Sequence, residues 1–194
     1  MQRRPFLLLL AACGMPAAAA ELASTPAATP AAALWERLRG GGHVLLVRHA
    51  ATDPGIGDPP GFAPGQCATQ RNLSQAGRRD AAALGAAMRA HGIPIGPVWS
   101  SRWCRCLDTA RLAFGRVEAA PMLDSMFQDD EAAVQAKLAE ARRQLANPTQ
   151  IGNTVWVTHD VNIRALVREA VAPGEVLVAR AAQGRLEVLG RLRY

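Results

Sequence analysis

Aromatic residues make up only 5% of this 194-residue chain, and it has a single tyrosine. Lysine occurs once, at Lys137, so positive charge rests almost wholly on arginine. Aromatics are not interleaved with those arginines, as they are where bases stack on exposed rings. The formal net charge of +6 is modest, and an arginine- and alanine-rich composition also follows from genome base content. No nucleic-acid partner is therefore expected. Long apolar runs are missing as well, which argues against a stable membrane span. The four cysteines and four histidines show no zinc-ligand spacing, so neither a metal nor a cofactor is expected. What is present is ordinary for a globular protein: 49% hydrophobic and 20% charged residues, in a length that suits one domain with a real core.

The N-terminus combines a basic start, a short apolar run and small residues, MQRRPFLLLLAACGMPAAAA. This pattern predicts a secretory signal peptide over residues 1–20, cleaved after Ala20, with release to the periplasm or beyond. The alternative is a lipoprotein: Leu10-Ala11-Ala12-Cys13 resembles a lipobox, which would anchor the chain through Cys13. Residues 21–33, rich in Ala, Pro, Thr and Ser, read as a flexible leader. Residues 34–194 are then the folded domain. An exported chain meets an oxidising compartment, where disulfides persist. Cys104 and Cys106 sit two apart at the start of a predicted helix, where their side chains diverge. That leaves Cys67 paired with one or the other, or all three reduced.

Strand and helix patterns alternate through most of the domain. Residues 34–38 suggest a short helix stopped by Gly40-Gly41-Gly42, and Val44-Leu45-Leu46-Val47 a strand buried on both faces. Residues 53–66 carry four prolines and four glycines and read as a functional loop. Ser74 is a good N-cap for a helix from about 75 to 91. A strand is expected at 98–101, a helix at 103–114, a strand at 117–123 and a helix at 129–146. A strand at 154–158, a helix at 161–171 and a C-terminal hairpin at 175–180 and 185–191 complete the pattern. Such alternation predicts an α/β three-layer sandwich, a mainly parallel central sheet flanked by helices.

Strands of a parallel sheet end along one edge, where ligands bind. The first predicted strand ends in Arg48-His49, and the last in His159-Asp160. The second leads into SSRWCRCLDTA, with Arg105 on the first turn of the next helix. Two arginines, two histidines and helix N-termini at one edge suit a phosphoryl group. Guanidinium binds its oxygens in a fork, and a neutral imidazole can attack phosphorus.

Taken in order, RHA, NLSQAGRRDA, SSRWCRCLDTA and VTHDVNIRAL resemble the histidine phosphatase superfamily, or phosphoglycerate mutase-like fold, over roughly residues 40–170. Exported bacterial members, including lipopolysaccharide core heptose phosphate phosphatases, are the nearest likeness. The resemblance implies that His49 is the nucleophile and that Arg48, Arg105 and His159 hold the phosphoryl group. Thr52 corresponds to a small hydroxyl residue of the phosphate pocket. Ala50 stands where the family usually has glycine. The implied activity is metal-independent phosphomonoester hydrolysis through a phosphohistidine, on a small phosphorylated substrate such as an envelope sugar phosphate. A non-catalytic phosphosugar-binding protein and a phosphoglycerate mutase-type transferase are the alternatives.

The proton donor is where the sequence departs from the pattern. The family's simpler branch places a glutamate after the third strand, and Ser125 stands there, with Asp124 one residue off. The acid-phosphatase branch uses the aspartate of a His-Asp pair, which favours Asp160 as the general acid and leaves Asp124 as the alternative. A carboxyl beside arginines titrates low, so an acidic optimum is expected. Arg71, Arg78 and Arg79 read as a solvated helix face, with a positive rim to the site as the alternative, and the tryptophans as core or pocket wall.

Overall fold

The computed structural model describes residues 30–55, 57–146, 151–192 and 194. The predicted signal peptide, Cys13 and most of the leader lie outside these residues. Six strands form one sheet in the order β3-β2-β4-β1-β5-β6. They are β1 (Val44–Arg48), β2 (Ile95–Ser100), β3 (Glu118–Ala119), β4 (Asn153–Thr158), β5 (Val176–Ala182) and β6 (Arg185–Leu192). The first four run parallel; β5 and β6 are antiparallel additions at one side. The helices are α1 (Pro30–Arg39), α2 (Gln75–Ala90), α3 (Cys104–Phe114), α4 (Glu131–Ala146) and α5 (Asp160–Val167). None of the described helices is long and apolar enough to cross a membrane.

Alternation within the strands builds two cores. Leu45, Val47, Val155 and Val157 face Leu38 of α1, Leu84 and Met88 of α2, and Ala110 of α3. Val44, Leu46, Trp156 and Leu177 face Leu145 of α4 and Ile163 of α5. Central strands with both faces covered need apolar residues at every position, which is why HVLLV and TVWV lack polar alternation. The result is the expected three layers.

Three boundaries differ from the sequence pattern. The helix at the start begins at Pro30, so the last residues of the predicted leader, 30–33, are helical; proline suits a first helical turn. The predicted third strand shrinks to two residues, because Pro121 opens a 3-10 turn that carries Met122 and Leu123 into the core. The helix expected over 161–171 stops at Val167, where Arg168 adopts a left-handed conformation with φ 61°. The hairpin turn is as expected, with Gln183 and Gly184 both at positive φ.

Helix α2 reaches the site-bearing strand end by close approach. A Cβ on Gly77 would lie 1.9 Å from the carbonyl oxygen of Ala51, which accepts hydrogen bonds from the backbone N–H and the hydroxyl of Ser74. Gly77→Ala is therefore expected to displace the 50–51 backbone and to cost about 1–3 kcal/mol. Denaturant unfolding measures the loss, and a parallel fall in activity would reflect the disturbed Ala50.

Candidate active site

Parallel register places the strand ends side by side. Arg48 pairs with Thr158 across β1 and β4, and Ser100 with Val157 across β2 and β4. The next residues, His49, His159 and Ser101, therefore emerge together, and the two imidazoles lie 5.4 Å apart at 69°. They open into a cavity of about 790 Å³, lined also by Arg48, Arg71, Arg105, Asp58, Trp103 and Asp160.

His49 is buried, and its Nδ1 lies 2.9 Å from the carbonyl oxygen of Ala50. A carbonyl only accepts, so Nδ1 carries the hydrogen and Nε2 keeps its lone pair. Ala50 is itself held by its N–H donating to Thr109 Oγ1 at 3.0 Å. Burial lowers the His49 pKa to about 3 against the raising effect of Ala50, with Arg105, Arg48 and Arg71 lowering it further. The ring is thus neutral over the physiological range. Its folded pKa lies below the unfolded value of 6.5, so the unfolded chain takes up a proton that the folded chain refuses. Stability is accordingly expected to fall as pH drops below about 6.5 towards 3, and His49→Gln to flatten that slope in unfolding measured between pH 7 and 4.

His159 is buried beside it and pushed well below its ordinary value by desolvation, then by His49 and Arg105. Its Nε2 sits 2.9 Å from Ser101 Oγ, which lies 3.4 Å from Asp124 Oδ1. Nε2 is occupied, so a ligand in the cavity meets this imidazole through Nδ1. Cys106 Sγ approaches the same Nε2 at 3.5 Å, and burial raises its thiol pKa to about 12, leaving it an inert wall.

Three guanidiniums face the cavity. Arg48 is tied by Nη1 to the carbonyl of Val171 at 2.6 Å, in the segment that turns back after α5. Arg71 donates from Nη1 to Gly55 at 2.5 Å. Arg105 is almost fully buried and forks onto Asp58, with Nη1 2.6 Å from Oδ1 and Nη2 3.3 Å from Oδ2. The Nε atoms of all three are buried with no hydrogen-bond partner among the described residues. Buried N–H groups without a partner are costly, and an oxyanion is the guest that would satisfy them.

Of the residues singled out from sequence, Arg48, His49, Arg105, His159 and Asp160 are brought together here. Thr52 is not among the lining residues; its backbone bridges to Leu73. Asp124 is not among them either. It is 2% exposed and tied to the backbone N–H and Nε of Arg102 at 2.8 and 2.7 Å. Asp160 lines the cavity as the first residue of α5, with Oδ1 accepting from Val171 N–H and Oδ2 from Arg164 Nε. Burial would raise its pKa, but the bonds from Val171 and Arg164 outweigh that and hold it low.

Two residues fell outside the favoured reading. Arg71 is not on the solvated helix face the sequence favours; it precedes the helix and turns into the cavity, as the rim alternative has it. Asp58 lies in the loop read as functional, and nothing in a Gly-Asp-Pro-Pro stretch told which of its residues points inward. The same loop supplies Phe62, stacked on Trp103 at 5.2 Å. Cys67, just past the loop, forms the disulfide with Cys104 rather than Cys106, binding it to the first turn of α3.

A family model described as histidine phosphatase superfamily (branch 1) matches residues 44–129, a stretch that includes Arg48, His49, Asp58 and Arg105. Solved structures share the fold at low identity. A candidate alpha-ribazole-5′-P phosphatase from Escherichia coli is 20% identical, with a TM-score of 0.57 over 79% of this chain and 97% of its own. A phosphoglycerate mutase from Thermus thermophilus is 21% identical, with a TM-score of 0.54 over 78% of this chain and 99% of its own. The product of a Mycobacterium tuberculosis open reading frame is 17% identical, with a TM-score of 0.57 over 75% and 94%. No curated protein matches the chain in sequence.

Proposed function

We infer that this chain is a phosphomonoester hydrolase of the histidine phosphatase superfamily, which transfers the phosphoryl group to Nε2 of His49 and then to water. One observation carries the reading. Burial keeps the His49 imidazole neutral and the Ala50 carbonyl fixes its tautomer, which leaves Nε2 as the free nitrogen in a cavity lined by three arginines and a second histidine. In-line attack needs a lone pair on the nucleophile and positive charge around the equatorial oxygens. Arg48 and Arg105 grip those oxygens, with Arg71 beside them, and His159 contacts them through Nδ1. Guanidinium charge takes the role that a metal ion fills in other phosphotransferases.

Export through residues 1–20 belongs to the same proposal, with lipidation at Cys13 as its alternative. It would put envelope sugar phosphates within reach as substrates and remove glycolytic ones, which argues against a mutase. The non-catalytic alternative draws support from Asp58, whose carboxylate already sits on the Arg105 fork. The test is hydrolysis of an aryl phosphate by the purified domain with and without EDTA. Turnover that survives EDTA supports the reading. Phosphate binding without turnover across aryl and alkyl esters would leave the binding protein standing.

A further inference from the structure

The proposed reaction needs a proton for the departing ester oxygen, and the two carboxylates expected to supply it are committed elsewhere. Asp124 is sealed behind Ser101 and Arg102, away from the cavity wall. Asp160 has one oxygen on Val171 N–H and the other on Arg164. Asp129, which also lines the cavity, is paired with Lys137 at 2.5 Å.

Asp58 is placed differently. Its oxygens are bound by the Arg105 fork, by Trp103 Nε1 at 2.9 Å and by Arg71 backbone N–H at 3.1 Å. It is the lining carboxylate that directly touches a guanidinium assigned to the phosphoryl group. Resting on the phosphatase reading above, we propose that Asp58 is the catalytic acid–base: it protonates the leaving oxygen and later takes a proton from the attacking water.

Phosphate and Asp58 compete for the same fork. When phosphoryl oxygens take Arg105, the displaced carboxyl stays beside the ester, still within reach of the Trp103 indole N–H. Its charge balance changes at that moment. Burial raises the Asp58 pKa, but Arg105, Trp103 and the Arg71 N–H more than offset this and hold it low while the carboxylate sits on the fork. A bound dianion removes the Arg105 contact and adds negative charge alongside, and both changes favour the protonated acid. The other charged or titratable groups around the cavity are Arg48, Arg71, His49, His159, Asp129 and Asp160. Burial holds the two histidines neutral, and Asp129 and Asp160 are paired.

The steps balance. As Nε2 of His49 bonds to phosphorus, the phosphorus–oxygen ester bond breaks, and its electron pair accepts the Asp58 proton. In the second step water bonds to phosphorus while the phosphorus–nitrogen bond breaks and its pair returns to Nε2. Asp58 takes the water proton, phosphate leaves, and the carboxylate returns to Arg105 once that proton is lost to solvent.

The experiment compares Asp58→Asn, Asp58→Glu and Asp160→Asn with the wild type on an aryl and an alkyl phosphate across pH, with inorganic phosphate as the binding probe. An alkoxide leaves only with a proton, whereas a nitrophenolate leaves without one. Asp58→Asn is expected to lower alkyl phosphate kcat by about 10²–10⁴-fold and the aryl rate by less than about tenfold, and to abolish the high-pH fall of alkyl kcat. Asp58→Glu is expected to restore part of the alkyl rate. Equal losses on both esters with a wild-type pH profile would overturn the proposal, leaving Asp58 only to hold Arg105. A rise in kcat/KM with tighter phosphate binding would overturn it too, making the carboxylate a mere occupant of the site. A leaving-group-selective loss in Asp160→Asn but not in Asp58→Asn would move the role to Asp160. A wild type inactive on both esters would fell the phosphatase reading and this one with it, whereas aryl activity with a neutral Asp58→Asn would fell this one alone.

Discussion

His49→Ala is expected to reduce aryl phosphate hydrolysis by about 10⁴- to 10⁶-fold, the scale seen when a covalent nucleophile is deleted. Nδ1 of this ring is committed to Ala50 O, so Nε2 is the one nitrogen left to attack, and alanine leaves no substitute in a buried position. Binding should survive. Arg48, Arg71 and Arg105 are untouched by the change, and their anchors to Val171, Gly55 and Asp58 do not involve His49. Inorganic phosphate affinity is therefore expected to stay within about tenfold of wild type while turnover disappears, the signature of an interaction made only on the reaction path. Rapid acid-free quenching of wild type with labelled substrate should trap a base-stable phosphoenzyme, and His49→Ala should trap none. Retained turnover in the variant would exclude His49 as the nucleophile.

Removing the Cys67–Cys104 disulfide is expected to destabilise the fold by about 2–4 kcal/mol, since the bond closes a loop with a sequence separation of 37. Denaturant unfolding of the Cys67→Ser, Cys104→Ser double variant measures this, and a reductant should shift the wild type but not the variant. An unchanged midpoint would mean that the loop is already held by its polar contacts. Those contacts are real: Cys104 N–H donates to Gln70 Oε1, and Asp58 binds Trp103, Arg105 and Arg71. Both ends of the staple bear on the site, one just past the loop that carries Asp58, the other one residue before Arg105. Substrate KM is thus expected to rise in the double variant along with the loss of stability.

Much of this was legible from residue order. Buried parallel strands announce themselves by unbroken apolar runs, and their ends must share an edge, so Arg48-His49 and His159 could be brought together on paper. Ser74 as N-cap and the Gln183-Gly184 turn followed from local chemistry alone. Local signals failed where a segment answers to distant partners. The chain after Val167 abandons the helix, and Val171 there binds Arg48 and Asp160. Arg71 looked like one of several surface arginines, because a guanidinium's direction is set by neighbours such as Gly55 that sequence spacing does not locate.

Sequence by itself therefore determined the layering and the nearness of Arg48, His49, Arg105 and His159 at one sheet edge, because periodicity and strand-end position depend on the chain's own pattern. Tertiary structure alone decided which carboxylate meets those arginines, which cysteine pairs with Cys67 and which nitrogen of His49 is free. Each of those choices turns on a contact between residues far apart in the chain or on the angle of a single ring, and neither is written in the order of the amino acids.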